Sequence, residues 1–227
     1  MEKYTEQEEI RRNSLQKLKE LGINPYPAEE FKTNTTSKEI KREFSTSKKK
    51  FQNIFLAGRI MSRRIMGKAS FFEIKDGHGK IQAYINRDEV CPGEDKKMYN
   101  DVFKKHLDIG DIIGINGEVF VTKVGETSIR VKKLKVLSKA LKPLPIVKTG
   151  PDGEVYDEFK NTELKYRQRS IDLIVNENSW DVFETRTKIF NTIREELNKK
   201  GYMEVETPIL QPIAGGAAAR PFVTHHN

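Results

Sequence analysis

SFFEIKDGHGKIQAYI, residues 70–85, places two short apolar-alternating runs on either side of Asp76-Gly77-His78-Gly79. Strict alternation over five to seven residues rich in Phe, Ile and Tyr predicts β-strands, and the Asp-Gly-His-Gly insert predicts the tight turn of an antiparallel hairpin. The pattern continues outward in both directions. IFLAGRIM (54–61) precedes the pair, while DIIGINGEVFVTKVG (111–125) and TSIRVKKLKVL (127–137) follow it, all rich in β-branched and aromatic residues. Between the third and fourth runs, residues 96–107 carry a helical pattern.

Five strands with a helix between the third and fourth follow the order of an OB-fold barrel, whose open face commonly binds oligonucleotides. The charge agrees with that. The 227 residues carry a net +8, and residues 51–142 alone hold +7, against +3 for residues 1–50 and −2 for residues 143–227. A basic middle segment is matched to a polyanion, although solvated lysines on a surface give the same sum. The rest is organised around it. Residues 5–21 predict a helix with Ile10, Leu15, Leu18 and Leu21 on one stripe, stopped by Gly22, Pro25 and Pro27. Residues 28–50 suit a helical turn or two and a connector, and the run Lys48-Lys49-Lys50 is assigned no site.

Beyond Leu137 a proline-punctuated connector (139–157) leads to the helical segment TELKYRQRSIDLI (162–174). From Ser179 to Lys200, Trp180, Phe183, Thr187, Phe190, Ile193 and Leu197 recur at helical spacing, Gly201 ends the run, and residues 203–210 predict a strand broken at Pro208. Three regions result: an N-terminal helix and connector (1–50), the barrel (51–142), and a linker with the beginning of a second domain (143–227).

Composition excludes several classes. One cysteine, Cys91, rules out an intrachain disulfide framework and a Cys-rich zinc site. His225 and His226 are adjacent, point apart on a strand and have no acidic partner at ligand spacing, so no metal site is expected. No apolar run approaches the roughly 18 residues of a membrane span, and a cytoplasmic protein that meets no membrane is expected.

Three stretches carry a family resemblance: GRIMSRRIMGKASFFEIKD (58–76), LKYRQRSIDLI (164–174) and GYMEVETPILQPIAGGAAARPFVTHHN (201–227). The chain resembles the N-terminal part of class II lysyl-tRNA synthetases from about residue 5 to residue 227. The last stretch is similar to class II motif 1, and its GGAAARPF and THHN tail is of the lysine type. The implied architecture is α+β, a five-stranded OB-fold β-barrel followed by the start of an antiparallel-sheet catalytic domain. The resemblance implies that Phe71 and Gln82 recognise the central uridine of the anticodon, with Arg63 assisting and Glu126 contacting the anticodon as well. It also implies that Pro208 lies in the dimer interface of a homodimer, and that Gly215, Gly216 and Ala217 form a loop beside the amino-acid substrate.

Plainer readings stand beside these. Alternation sends one of Phe71 and Phe72 into the core. Gln82 reads equally as an exposed strand residue, Arg63 as a surface phosphate contact, and Gly215-Gly216 as a turn. Arg11, Arg12, Lys17 and Lys19 suit either a tRNA backbone or a solvated helix face. The family's activity is ATP- and Mg2+-dependent formation of lysyl-adenylate, followed by transfer to tRNA. Its motifs 2 and 3, with the catalytic arginines, lie downstream of motif 1, so no catalytic residue is expected in these 227 residues. Lysine-dependent ATP–pyrophosphate exchange by them would overturn that expectation. Two rivals remain, a non-catalytic tRNA- or single-strand-binding OB module and an aspartyl- or asparaginyl-tRNA synthetase.

Overall fold

Alternating burial along β1 (Ile54–Met66) shows how the barrel begins: Ile54, Leu56 and Ile60 turn inward while Phe55, Ala57 and Arg59 stay half-buried. The strand is longer than the IFLAGRIM run. It pairs with two neighbours in succession, through residues 54–59 with β4 (Ile112–Val121) and through residues 59–66 with β2 (Ala69–Lys75). An extra residue at Met61 shifts the register between Ile60 and Ser62, and such a bulge bends a strand so that a small sheet can close. β3 (Lys80–Asn86) pairs antiparallel with β2 and parallel with β5 (Thr127–Ser138), which returns to β4. The order β1-β2-β3-β5-β4 is a closed barrel. The computed structural model describes residues 4–145, 148–149, 155–156, 159–208 and 224–225.

The turn between β2 and β3 forms where expected. The Asp76 amide donates to the Gly79 carbonyl, and the Asp76 carboxylate accepts from the amides of His78 and Gly79. The same carboxylate accepts from the amide and hydroxyl of Ser37, at 2.6 and 2.7 Å, so the first residue of α2 (Ser37–Glu43) sits on the hairpin. After the four-residue α3 (Arg87–Val90), the helix before β4 runs from Met98 to His106. It is wound more widely than an α-helix, and at its end the Leu107 amide donates to Val102, five residues back. Tyr99, Val102 and Phe103 are buried there, with the Phe103 ring 5.4 Å from that of Phe72.

Gly117 marks the tightest approach in the sheet. A Cβ there would lie 2.0 Å from the Arg130 carbonyl oxygen, which is backbone and cannot swing away. Gly117→Ala is expected to destabilise the barrel by roughly 1–3 kcal/mol or more. Urea unfolding reads this directly, and an unshifted midpoint would show that the β4–β5 contact opens without cost.

α1 (Glu6–Glu20) forms with a capping box in which Thr5 and Glu8 satisfy each other's backbone amides. Its buried face differs from the expected stripe. Arg11, Ser14 and Leu18 are buried, whereas Ile10 is 47% and Leu21 36% exposed. Leu18 packs in the core as expected, and a guanidinium with carbonyl partners inside the fold is buried on the same face. Lys50, in the short turn Lys48–Phe51, reaches Glu39 and Glu43.

Past the barrel, Lys148–Thr149 and Val155–Tyr156 pair as a short antiparallel ladder within the connector. The chain divides into two compact units, residues 1–165 and 166–227. The helical stretch 162–174 forms as α4 (Thr162–Arg167) and α5 (Arg169–Val175), interrupted at Gln168. Buried Asp172 ties α5 to α6 (Glu177–Lys199) by accepting hydrogen bonds from Arg169, Asn176 and Ser179. α6 ends as expected, with Gly201 at φ 86° and the Tyr202 amide donating to the Leu197 carbonyl. Part of the strand expected over 203–210 is corrected: the described residues 202–208 form no strand. Pro208 lies in this exposed segment. Residues 209 and 210 and the Gly215-Gly216-Ala217 loop lie outside the described residues, as does His226.

Candidate nucleic-acid interface

Register across the barrel sorts the candidate residues into faces. Opposed residues point to the same side of a sheet, so the chain of partners Arg64, Phe71, Tyr84, Arg130 and Glu118 forms one row on the outer surface of β1, β2, β3, β5 and β4. Ser62, Glu73, Gln82, Ser128 and Phe120 form the next outer row. Arg63, Phe72, Ala83, Ile129 and Val119 form an inner one. Phe72 is 2% exposed and belongs to the core, which leaves Phe71 on the outer face.

The outer rows line an open cavity of about 720 Å3. Its floor is aromatic. The Phe71 and Tyr84 ring centroids are 5.1 Å apart, and Tyr84 and Phe120 are 6.1 Å apart. At one side the Gln82 amide is held in a fixed orientation: the Ser128 hydroxyl donates to Oε1 at 2.8 Å, and Nε2 donates to a Glu126 carboxylate oxygen at 3.0 Å. Glu126 reaches the cavity from the β4–β5 turn, where the Thr122 amide and the Glu126 carbonyl close the loop. One Gln82 Nε2 hydrogen and the second Glu126 oxygen remain for a ligand. Phe71, Gln82 and Glu126, which are far apart in sequence, therefore converge.

Arg63 also lines the cavity, but its guanidinium is bonded to backbone carbonyls. On the inner row its Nη1 donates to the carbonyls of Phe103 and Leu107 at the end of the wide helix, and burial pushes its pKa down against the opposing pull of Asp108 and Asp111. The neighbouring Arg64 is exposed, lies opposite Phe71 and lines the cavity. The sequence held the signal for this choice. Met66 pairs with Ala69 across Gly67-Lys68, and counting back from that turn sets Arg64, not Arg63, against Phe71.

The basic residues of α1 separate in the same way. Arg11 donates to the carbonyls of Ile109 and Ala140 and is buried, and the Arg12 guanidinium stacks on Tyr4 at 3.8 Å. Lys17 pairs with Glu20 on the surface, and Lys19 is exposed. A guanidinium engaged as Arg11 is cannot also reach a phosphate. Cys91 is buried. Among the described residues no group of three or more His, Cys, Asp or Glu side chains is arranged to hold a metal ion. No described helix is long and apolar enough to cross a membrane.

A closed five-stranded barrel with an aromatic, amide- and arginine-lined outer face is a nucleic-acid-binding OB domain. The family model for the OB-fold nucleic acid binding domain matches residues 54–137, and that for the class II tRNA synthetases (D, K and N) matches residues 161–227. The chain belongs to the class II tRNA synthetases of that group, as a barrel followed by the start of the synthetase domain. Its relatives within the group include lysine–tRNA ligases. It is 56% identical to that of Porphyromonas gingivalis over 98% of this chain and 39% of the relative. The ligase of Christiangramia forsetii is 55% identical over 100% and 39%, and that of Azobacteroides pseudotrichonymphae 58% over 98% and 44%. The chain thus spans about two fifths of the length of the curated relatives it matches.

Proposed function

We propose that this chain is the anticodon-reading portion of a lysine–tRNA ligase, and that its barrel reads a uracil against Phe71. The convergence of Phe71, Gln82 and Glu126 carries this reading. The Watson–Crick edge of uracil presents acceptor, donor, acceptor (O4, N3–H, O2). Gln82 Nε2 supplies a donor and Glu126 an acceptor, while Arg64 stands across Phe71 as a second donor. Cytosine presents donor, acceptor, acceptor, and would face the Glu126 carboxylate with an acceptor. Arg64 takes the assisting place that the family resemblance assigns to Arg63. The aromatic floor supplies stacking, which any base accepts, and the polar edge supplies the choice.

The whole enzyme would use ATP and Mg2+ to activate lysine and would pass it to tRNA in the cytoplasm. The residues for that chemistry would come from outside the described segment. Along α6, Trp180, Phe190, Ile193 and Leu197 are 45–51% exposed, which supports a homodimer in which a second copy covers this helix. A monomeric full-length ligase in sedimentation equilibrium would remove that element.

The anticodon reading is tested by titrating the chain with the anticodon stem–loop of a lysine tRNA, and with the same loop carrying cytosine at the central position. The exchange should weaken binding on the order of tenfold at fixed salt. Equal dissociation constants would overturn the reading, leaving a sequence-blind single-strand binder.

A further inference from the structure

We infer that Ser128 sets which pyrimidine the cavity accepts, by holding the Gln82 side-chain amide with its NH2 end turned toward the ligand. This role deepens the anticodon reading and rests on it. Ser128 acts through Gln82 and is a positioning residue.

A glutamine amide is ambivalent. Half a turn about its last torsion, which has no strong preference of its own, exchanges a donor for an acceptor of the same size and reach. Turned one way, Nε2 donates to the O4 of uracil; turned the other, Oε1 accepts from the N4 amino group of cytosine. An unrestrained Gln82 would serve both bases. The choice between them lies in whatever fixes the amide.

Two neighbours hold it, and they are unequal. Glu126 accepts from Nε2 at 3.0 Å, but it is exposed at the end of the β4–β5 turn, where water competes for both groups, and its carboxylate is also the acceptor offered to the base. Ser128 is 0% exposed, and its hydroxyl lies 2.8 Å from Gln82 Oε1. Strand pairing sets that contact. Gln82 and Ser128 are Cα partners in the parallel β3–β5 pair, and on its other side Ser128 is opposite Phe120 of β4. The other acceptor of the hydroxyl, the Glu126 carbonyl, is 3.4 Å away, at the limit of hydrogen-bond reach, so the proton goes to Oε1. A hydroxyl also accepts, but the Glu126 carboxylate takes only a donor and so claims Nε2, which leaves Oε1 facing the serine. Ser128 therefore keeps the orientation when Glu126 turns to the base.

The test titrates the lysine anticodon stem–loop, and the same loop with cytosine at the central position, against wild type, Ser128→Ala, Ser128→Thr, Gln82→Ala and the Gln82→Ala, Ser128→Ala double variant. Wild type should prefer uracil on the order of tenfold. Ser128→Ala should bring that preference to about threefold or less, through weaker binding of the uracil loop and not of the cytosine loop, and Ser128→Thr, which keeps the hydroxyl, should restore it. In the Gln82→Ala background, Ser128→Ala should change the preference no further. An undiminished preference in Ser128→Ala, equal weakening toward both loops, or a folded Ser128→Thr no more selective than Ser128→Ala would each overturn the proposal while leaving the anticodon reading in place. Equal binding of the two loops by wild type would overturn the anticodon reading itself, and this role with it. Urea unfolding of each variant separates loss of selection from loss of fold.

Discussion

Phe72→Ala is expected to destabilise the barrel by about 3–5 kcal/mol, as for other buried aromatics cut back to a methyl group. Phe71→Ala, one residue earlier, should cost only about 0.5–1.5 kcal/mol of stability, the worth of its ring contact with Tyr84. The order reverses for RNA. Phe71→Ala should weaken binding of a lysine anticodon stem–loop by about 1–3 kcal/mol, roughly 5- to 150-fold. Phe72→Ala, assayed at a temperature where it remains folded, should bind nearly as wild type. The contrast rests on position alone: Phe72 is 2% exposed with its ring 5.4 Å from Phe103, while Phe71 stands half-buried on the cavity floor. Urea unfolding and fluorescence titration give the two numbers for each variant. An unchanged dissociation constant for Phe71→Ala would return its ring to a purely structural role.

Much of this was legible in the residues. Period-two alternation located all five strands, because one face of each is buried and a slip of one residue would invert every side chain. The same period could not say which of Phe71 and Phe72 faced inward, since both are aromatic and nothing local breaks the tie. It was broken by pairing, through Met66 with Ala69, and that pairing also sets Arg64 opposite Phe71. The stripe on α1 misled for a different reason. Periodicity assumes that apolar side chains seek the core, as Leu18 does, but beside it the carbonyls of Ile109 and Ala140 face α1, which a guanidinium satisfies and a leucine cannot. The strand expected over 203–210 is not formed over the described residues 203–208, because a strand is a relation between segments that the period of one segment does not report.

The buried charge of Asp111 gives the second large effect. Lys139 and Asp111 are 2% and 0% exposed, and Lys139 Nζ lies 2.8 Å from Asp111 and also meets Asp108. Asp111 accepts two further hydrogen bonds, from the amides of Asp108 and Ala140, each at 2.7 Å. Removing one member of such a pair leaves an uncompensated charge in the interior and costs about 3–5 kcal/mol. Asp111→Ala should be the worse of the two changes, because it strands the Lys139 cation on Asp108 alone and also orphans two amides. Lys139→Met leaves those amides bonded. The network does more than fill a cavity: the Tyr26 hydroxyl donates to the Lys139 carbonyl, Arg11 to that of Ala140 and Arg59 to that of Gly110. It therefore fixes the N-terminal segment and the exit of the chain from β5 to the same corner of the barrel. Burial pushes the Asp111 carboxyl above its ordinary value, and Lys139 and the two amides pull the other way without cancelling it. A raised folded pKa contributes stability that is full below the unfolded value and is lost as pH rises through the folded one. The stability difference between wild type and Asp111→Asn should accordingly narrow as pH climbs from the ordinary aspartate value through that raised one. Urea unfolding across this acid range and at neutral pH reads both effects. A shift under about 1 kcal/mol for Asp111→Ala at neutral pH would show that water reaches Lys139 and that the corner is held by backbone hydrogen bonds instead.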